Sequence, residues 1–251
     1  METASVHLRG QLGSLGRSII QRLLRDNVNI IVREESQKWL NEFFSTELEF
    51  SKSQILSSLS NPISPGHRVI LLGFDNYTAS GDDSDIGIGV DEAEVILVTP
   101  NANDVEYDLS EVDCHFIIYD MIPSESSPPW SNLYLDEIID SLTDDSDYET
   151  TGYTGWWVAE QDVADAISRL MLSNHPSPNI VNFAGRRSWE MEQIFDELQM
   201  LYSRTMAGQS GSFTTEHLVT PSTPAIELVS FEQSVQHERP DLKNLHESLI
   251  L

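Results

Sequence analysis

Three glycines near the amino terminus have the residue type and spacing that suit the binding of a diphosphate. Gly10, Gly13 and Gly16 follow a short apolar run and open an amphipathic segment, so they lie at a predicted strand-to-helix turn. The first glycine permits the tight turn, the second lets a diphosphate approach the backbone, and the third allows the helix to pack closely on the strand. Free N–H groups at the helix N-terminus favour an anion there. The turn therefore predicts a nucleotide diphosphate site, although the same glycines would also persist in a turn that binds nothing.

Two residues after the second predicted strand bear on which nucleotide would be bound. Glu34 lies about twenty positions beyond the turn, where a carboxylate can accept hydrogen bonds from an adenosine ribose and favour NAD. The adjacent Arg33 can hold a 2′-phosphate and favour NADP. The sequence leaves both cofactors open.

The elements that would position these residues alternate between strands and helices. Apolar runs of strand length cover residues 5–8, 28–32, 69–72, 95–98, 116–119 and 179–183. Apolar residues recur at helical spacing over residues 14–25, 36–59, 133–142, 163–171 and 188–202, with a break near Ser51 in the second of these segments. This order predicts an α/β fold with a doubly wound, Rossmann-like, mostly parallel sheet. We expect residues 1–206 to form this domain, with an irregular acidic segment near 120–155, and residues 207–251 to form a reduced C-terminal lobe.

Three stretches resemble the extended branch of the short-chain dehydrogenase/reductase superfamily, which contains nucleotide-sugar epimerases and dehydratases. They are the G-x-x-G-x-x-G turn, the Trp-Trp-Val-Ala-Glu-Gln-Asp-Val-Ala segment at residues 156–164, and the Glu-Arg-Pro-Asp-Leu segment at residues 238–242. The resemblance implies a bound NAD or NADP and a nucleotide-sugar substrate. It also implies the cofactor contacts, which are Gly10, Gln11, Leu12, Gly13, Gly16, Arg33, Glu34 and Thr99.

The chemistry of that family depends on a tyrosine with a lysine four positions later, and this sequence lacks the pair. A phenol has a pKa near 10, so a tyrosine that acts as a general base needs a neighbouring cation. The residues four positions after Tyr134, Tyr148 and Tyr153 are Ile138, Gly152 and Trp157. Only 32 residues run from Ser124 to Gly155, close to the roughly 30 that a single βαβ unit needs. We therefore expect the catalytic element to be shortened or lost, and Ser124, which could take the place of the family's serine, to be a loop residue.

The charge of the chain excludes several classes of partner. There are 41 acidic and 14 basic residues, a net charge of −27, and the 100 residues between Arg68 and Arg169 contain no lysine or arginine. Such a surface repels phosphate backbones and anionic lipid, so we expect no nucleic acid or membrane partner. The excess of carboxylates suits either a halophilic protein or one that meets a basic partner. A lone Cys114 and the lack of a leader pattern predict a cytoplasmic protein with no cysteine-built metal site.

Three functions remain open at this point. The first is a degenerate member of the family that keeps the fold, with or without NAD(P), and acts as a non-catalytic partner or regulator, for instance of an active enzyme of the same family. The second is an active enzyme with relocated catalytic groups, such as Tyr134 assisted by His115. The third is a structural or interaction protein that binds no cofactor.

Overall fold

A computed structural model describes residues 5–73, 83–101, 109–144, 146–149, 152–172, 180–185, 188–218 and 248–250. The helices are α1 (Gly13–Arg25), α2 (Glu34–Phe43), α3 (Ser45–Phe50), α4 (Asp83–Ile86), α5 (Leu133–Asp144), α6 (Glu160–Met171) and α7 (Met191–Ser210). The strands are β1 (Ser5–Gly10), β2 (Asn29–Val32), β3 (Ile55–Ser57), β4 (Arg68–Leu72), β5 (Glu94–Pro100), β6 (Cys114–Ile118), β7 (Met121–Ile122), β8 (Thr154–Gly155), β9 (Val158–Ala159), β10 (Ile180–Ala184), β11 (Trp189–Glu190) and β12 (Ser248–Ile250).

Eight of these strands form one sheet, in the order β12-β10-β6-β5-β4-β1-β2-β3. Every neighbouring pair in the sheet is parallel. The chain builds outward from β1 to β3, crosses over, and then builds outward in the other direction from β4. This reversal beside β1 is the switch point of a doubly wound fold. The predicted Rossmann-like α/β class is therefore confirmed.

The alternation of side chains along the strands explains why both faces of the sheet are covered. On the first face the strands bury a continuous apolar layer, represented by Ile70 and Ile96, under Ile19 of α1 and Ile167 of α6. On the second face Val69 and its neighbours pack under the short helix α4. The same face also carries polar side chains that are buried, namely His7, Arg9, Thr99 and His115.

One predicted helix is wrong in its second half. The pattern over residues 36–59 predicts helix with a break near Ser51; the structure has α2, then α3, which ends at Phe50, and then strand β3. Residues Ile55–Ser57 pair in parallel with Ile30, Ile31 and Val32 of β2. Hydrogen bonding to the edge of β2 and the burial of Ile55 outweigh the helical spacing of the apolar residues there.

A second, aromatic-rich core lies outside the main sheet. Helices α5 and α7 pack against each other, and α7 also packs against β11, which pairs antiparallel with β8. Their shared core contains Ile138, Trp157 and Met191, and Tyr148 stacks on Phe195. Helix α7, which the sequence predicts to end at residue 202, continues to residue 210. The Arg-Pro-Asp segment at 239–241 and most of the predicted C-terminal lobe lie outside the described residues.

Candidate functional site

The glycine turn joins β1 to α1 at the switch point beside β4. The backbone N–H of Gln11 donates to the carbonyl of Leu72 across 2.9 Å. Gly13 begins α1 with a φ of +48°, a left-handed conformation in which a side chain is strained. A Cβ on Gly16 would lie 2.8 Å from the Cβ of Leu12, so the helix packs there too closely for a larger residue. The turn therefore has a left-handed backbone at Gly13 and close helix packing at Gly16.

The indole of Trp130 covers this turn. Trp130 is only 3% exposed, and its Cδ1 lies 3.2 Å from the position that a Cβ on Gly13 would occupy. Its Nε1–H donates to the carbonyl of Gln11 across 3.3 Å. A dinucleotide would lay its diphosphate against this second glycine and the helix N-terminus. The side chain that packs on this glycine is Trp130.

Trp130 ends a segment, residues 123–130, that we call the closing segment. Pro129 packs directly on Gly73, which follows β4, and leaves no room for a Cβ there. Near the other end of the segment, Glu125 forms an ion pair with Arg17 of α1. The closing segment is therefore attached to both sides of the switch point, over β4 and along α1.

A buried carboxylate fixes the start of the closing segment. Glu160, the first residue of α6, is 2% exposed. The hydroxyls of Ser14 and Ser18 on α1 donate to it across 2.5 and 2.7 Å. The N–H and hydroxyl of Ser124 donate to it across 2.9 and 3.0 Å. One side chain thus joins α1, α6 and the closing segment, and it supplies an anion beside the first turn of α1, where the helix dipole favours one.

The residues predicted to contact a ribose lie in different surroundings. Glu34 is exposed at the start of α2, whereas Arg33 donates from Nε to Asp85 Oδ2 across 3.1 Å. The buried Arg9 donates to Asp85 Oδ1 from Nε and Nη2, across 3.2 and 3.1 Å. Burial lowers the pKa of Arg9 from its ordinary value, and the carboxylate of Asp85 opposes that shift. Asp85 therefore binds the guanidinium of Arg33, the group that the sequence predicts to hold a 2′-phosphate.

Thr99, the last predicted cofactor contact, points to a histidine within the sheet. Its hydroxyl hydrogen-bonds Nε2 of His115 across 2.8 Å, and both residues are buried. Burial lowers the pKa of His115 to about 4. His7 of β1 forms a hydrogen bond from its Nε2 to Nδ1 of His67, across 2.9 Å. Burial lowers the pKa of His7 to about 3, and the charge of Arg9 contributes to the same shift. Both imidazoles are therefore neutral at pH 7.

A pocket of about 240 Å³ opens at the carboxyl ends of β5 and β6. Its polar lining comes from Asn101, Asp120, Asn132, Tyr134 and Tyr153. The rings of Tyr134 and Tyr153 stack with their centroids 4.4 Å apart, and the Tyr153 hydroxyl donates to Asp120. Trp130 lines this pocket as well as covering the glycine turn, so it separates the two. The volume is below the roughly 300–1,000 Å³ that is typical of ligand pockets.

The candidate catalytic side chains are dispersed. His115 contacts Thr99 inside the sheet, and Tyr134 contacts Tyr153 at its edge. The hydroxyl of Tyr148 is buried with no hydrogen-bond partner among the described residues, and burial raises its pKa above the ordinary value of 10.0. A general-base tyrosine requires the opposite shift.

The described residues show no metal site and no membrane-spanning helix. In the parts of the chain with described coordinates, no three His, Cys, Asp or Glu side chains converge as a metal site. Within the same residues, no helix has both the length and the apolar character needed to cross a bilayer. No family model matches the sequence, and no curated protein matches it.

Proposed function

We propose that this chain is a non-catalytic interaction protein, a degenerate relative of the extended short-chain dehydrogenases whose dinucleotide crevice is closed by its own closing segment. The observation that carries the proposal is the packing of Trp130 on Gly13. A diphosphate and a buried indole cannot occupy one space. The glycines then serve the turn and the packing of α1, and they need no ligand to explain them.

Two further features support the proposal. Two groups that would attract the anionic parts of a dinucleotide bind carboxylates of the chain itself. Ser14 of α1 donates to Glu160, and Arg33 donates to Asp85. In sequence, each central tyrosine lacks the lysine that the family's hydride-transfer chemistry requires at the fourth position after it. The protein then acts through its surface, as a partner or regulator of another protein.

Thermal unfolding with NAD and NADP tests the proposal. A ligand that binds only the folded state, present at about 100 times its Kd, adds about 2.7 kcal/mol to the free energy of unfolding. For a chain of this length, such a gain raises the Tm by roughly 5–10 °C. We expect neither cofactor to change the Tm of the wild type. A rise with NAD or NADP would overturn the proposal.

The variant Trp130→Gly identifies what closes the crevice, and Leu133→Gly is the matched control. Leu133 lies three residues later and is 71% exposed, so its removal leaves the crevice unchanged. Stabilisation of the Trp130→Gly variant alone by NAD or NADP would show that the indole is the block and that the turn below it still fits a nucleotide.

A further inference from the structure

The pocket at the carboxyl ends of β5 and β6, which we call the strand-end pocket, has an aromatic lining. Trp130, Tyr134 and Tyr153 all line it, and the two tyrosine rings stack with their centroids 4.4 Å apart. The face of an aromatic ring is negative, so it attracts a cation that lies within about 6 Å of its centroid. Three such rings in the lining of one pocket favour a positively charged ligand.

Asp120 contributes a carboxylate to the same pocket. Its Oδ2 accepts the backbone N–H of Trp156 across 2.6 Å, and its Oδ1 accepts the hydroxyl of Tyr153. Its φ is +45°, a left-handed conformation that is uncommon for a residue with a side chain. Residues held in such conformations cluster at ligand-binding sites. The carboxylate is therefore fixed in position beside the aromatic rings before a ligand arrives.

The charge of the lining has one sign among the residues that the structure describes. The nine residues that line the strand-end pocket include one carboxylate and no lysine, arginine or histidine. All nine lie between Arg68 and Arg169, within the 100 residues that contain neither lysine nor arginine. A cleft lined by charge of one sign raises the local concentration of ligands of the opposite sign. This environment favours a cation and disfavours phosphate esters.

The size and the apolar lining of the pocket decide which kind of cation fits. Its volume of about 240 Å³ equals that of roughly eight water molecules in the liquid, so the ligand is small. Ile118 and Met121 add apolar surface, which suits alkyl groups, and Asn101 adds an amide that can hydrogen-bond a hydroxyl. A hard ion such as Ca²⁺ instead requires roughly six to eight oxygen ligands. One carboxylate among aromatic and apolar side chains suits an organic cation.

We propose that the strand-end pocket binds a free, small alkylated ammonium compound, whose positive centre lies against the aromatic rings and the carboxylate of Asp120. The compound has about eight non-hydrogen atoms or fewer, a limit set by the volume of the pocket. Choline has this size and chemistry and serves as the probe. The proposal goes beyond the non-catalytic function and does not rest on it, because none of the lining residues needs NAD(P) or its absence.

A titration of the nitrogen-labelled whole chain, followed by nuclear magnetic resonance, tests this site. The indole N–H peak of Trp130 reports on the pocket and is assigned by its loss in Trp130→Phe. We expect choline to shift this peak and to saturate with a Kd of about 1 mM or below. The neutral isostere of choline, in which carbon replaces the nitrogen, has the same shape and should bind at least about tenfold more weakly. This comparison uses the wild type, so it does not depend on the folding of any variant.

Two pairs of variants identify the groups that hold the cation. Asp120→Asn should raise the Kd for choline about tenfold, because it removes the charge beside the ligand. Asp140→Asn removes the same charge at an exposed residue of α5 and should leave the Kd unchanged. Tyr134→Leu should also raise the Kd about tenfold, whereas Tyr134→Phe keeps the ring and should keep the affinity.

Four results would overturn the proposal. They are the absence of any shift with choline, equal binding of choline and its neutral isostere, equal effects of the two aspartate variants, and equal effects of the two Tyr134 variants. A peptide with trimethyllysine that bound more tightly than choline would make the ligand a protein side chain. That result would equally contradict a free small molecule.

Discussion

Replacing Trp130 with alanine removes the side chain that fills the crevice, and the resulting loss of stability measures how completely it is filled. The indole is 3% exposed and lies 3.2 and 3.4 Å from the positions that a Cβ would occupy on Gly13 and Gly73. Removal of a buried tryptophan or phenylalanine ring costs about 3–5 kcal/mol. The bond from Nε1 to Gln11 is long at 3.3 Å and adds little to that sum. We therefore expect Trp130→Ala to lower the free energy of unfolding by about 4 kcal/mol.

Urea denaturation followed by circular dichroism measures this loss. A shift of the midpoint with an unchanged slope reports a change in stability alone. Trp130→Phe keeps most of the packing and should lose about 1–2 kcal/mol. Leu133→Ala, at a 71% exposed residue nearby, should change stability by less than about 0.5 kcal/mol. A loss below about 1 kcal/mol for Trp130→Ala would refute the packing of the indole in the crevice.

Three further predictions concern the groups around the crevice. Glu160→Gln leaves buried donors facing an amide and should cost about 2 kcal/mol in urea unfolding, whereas Asp162→Asn on the exposed side of α6 should cost almost nothing; equal losses would contradict the role of the buried carboxylate. His115 has a folded pKa of about 4. In the unfolded chain this histidine takes up a proton below about pH 6.5. The stability advantage of wild type over His115→Asn should therefore shrink by roughly 2 kcal/mol from pH 7.5 to pH 4.5. A difference that does not change with pH would contradict the burial of a neutral His115. Gly16→Ala should lose roughly 1–2 kcal/mol because its Cβ clashes, whereas Gly208→Ala, with open space around its Cβ, should gain up to about 1 kcal/mol from helix propensity; stabilisation by both would show that the clash is absent.

The fold could be predicted from the sequence because each central strand is a continuous apolar run. Strands that are buried on both faces have continuous apolar sequences of this kind, and the apolar residues of the helices between them recur with a period of 3.6 residues. Strand β3 could not be found, since it has three residues of which only Ile55 is fully buried. A strand that short contributes no pattern of its own, and its pairing with β2 is visible only in three dimensions.

The glycine turn was also predicted, but its covering was not. The closing segment is rich in proline and serine, a composition that predicts only a loop. Its hydrogen bond from Trp130 to Gln11 joins residues that are 119 positions apart in the chain, so no local pattern indicates it. One signal was available. A tryptophan inside a polar loop is costly to leave in water, so Trp130 had to be buried against some part of the domain.

The carboxylates that meet Ser14 and Arg33 were missed for a similar reason. Ser14 and Ser18 lie four positions apart on α1 and face Glu160, but the sequence separates them from it by more than 140 residues. Arg33 was expected at a ribose phosphate, and the structure places it on Asp85. Spacing along a helix can predict which residues share a face, but the partner of that face depends on how the elements pack.

The contact between Trp130 and Gly13 in solution is the most direct test of the closed crevice. Nuclear Overhauser spectroscopy of the labelled protein can detect the Hδ1 proton of Trp130 close to the α protons of Gly13. We predict a strong cross-peak that keeps its intensity when NAD or NADP is added in large excess. The absence of this cross-peak, or its loss on addition of either cofactor, would contradict the account.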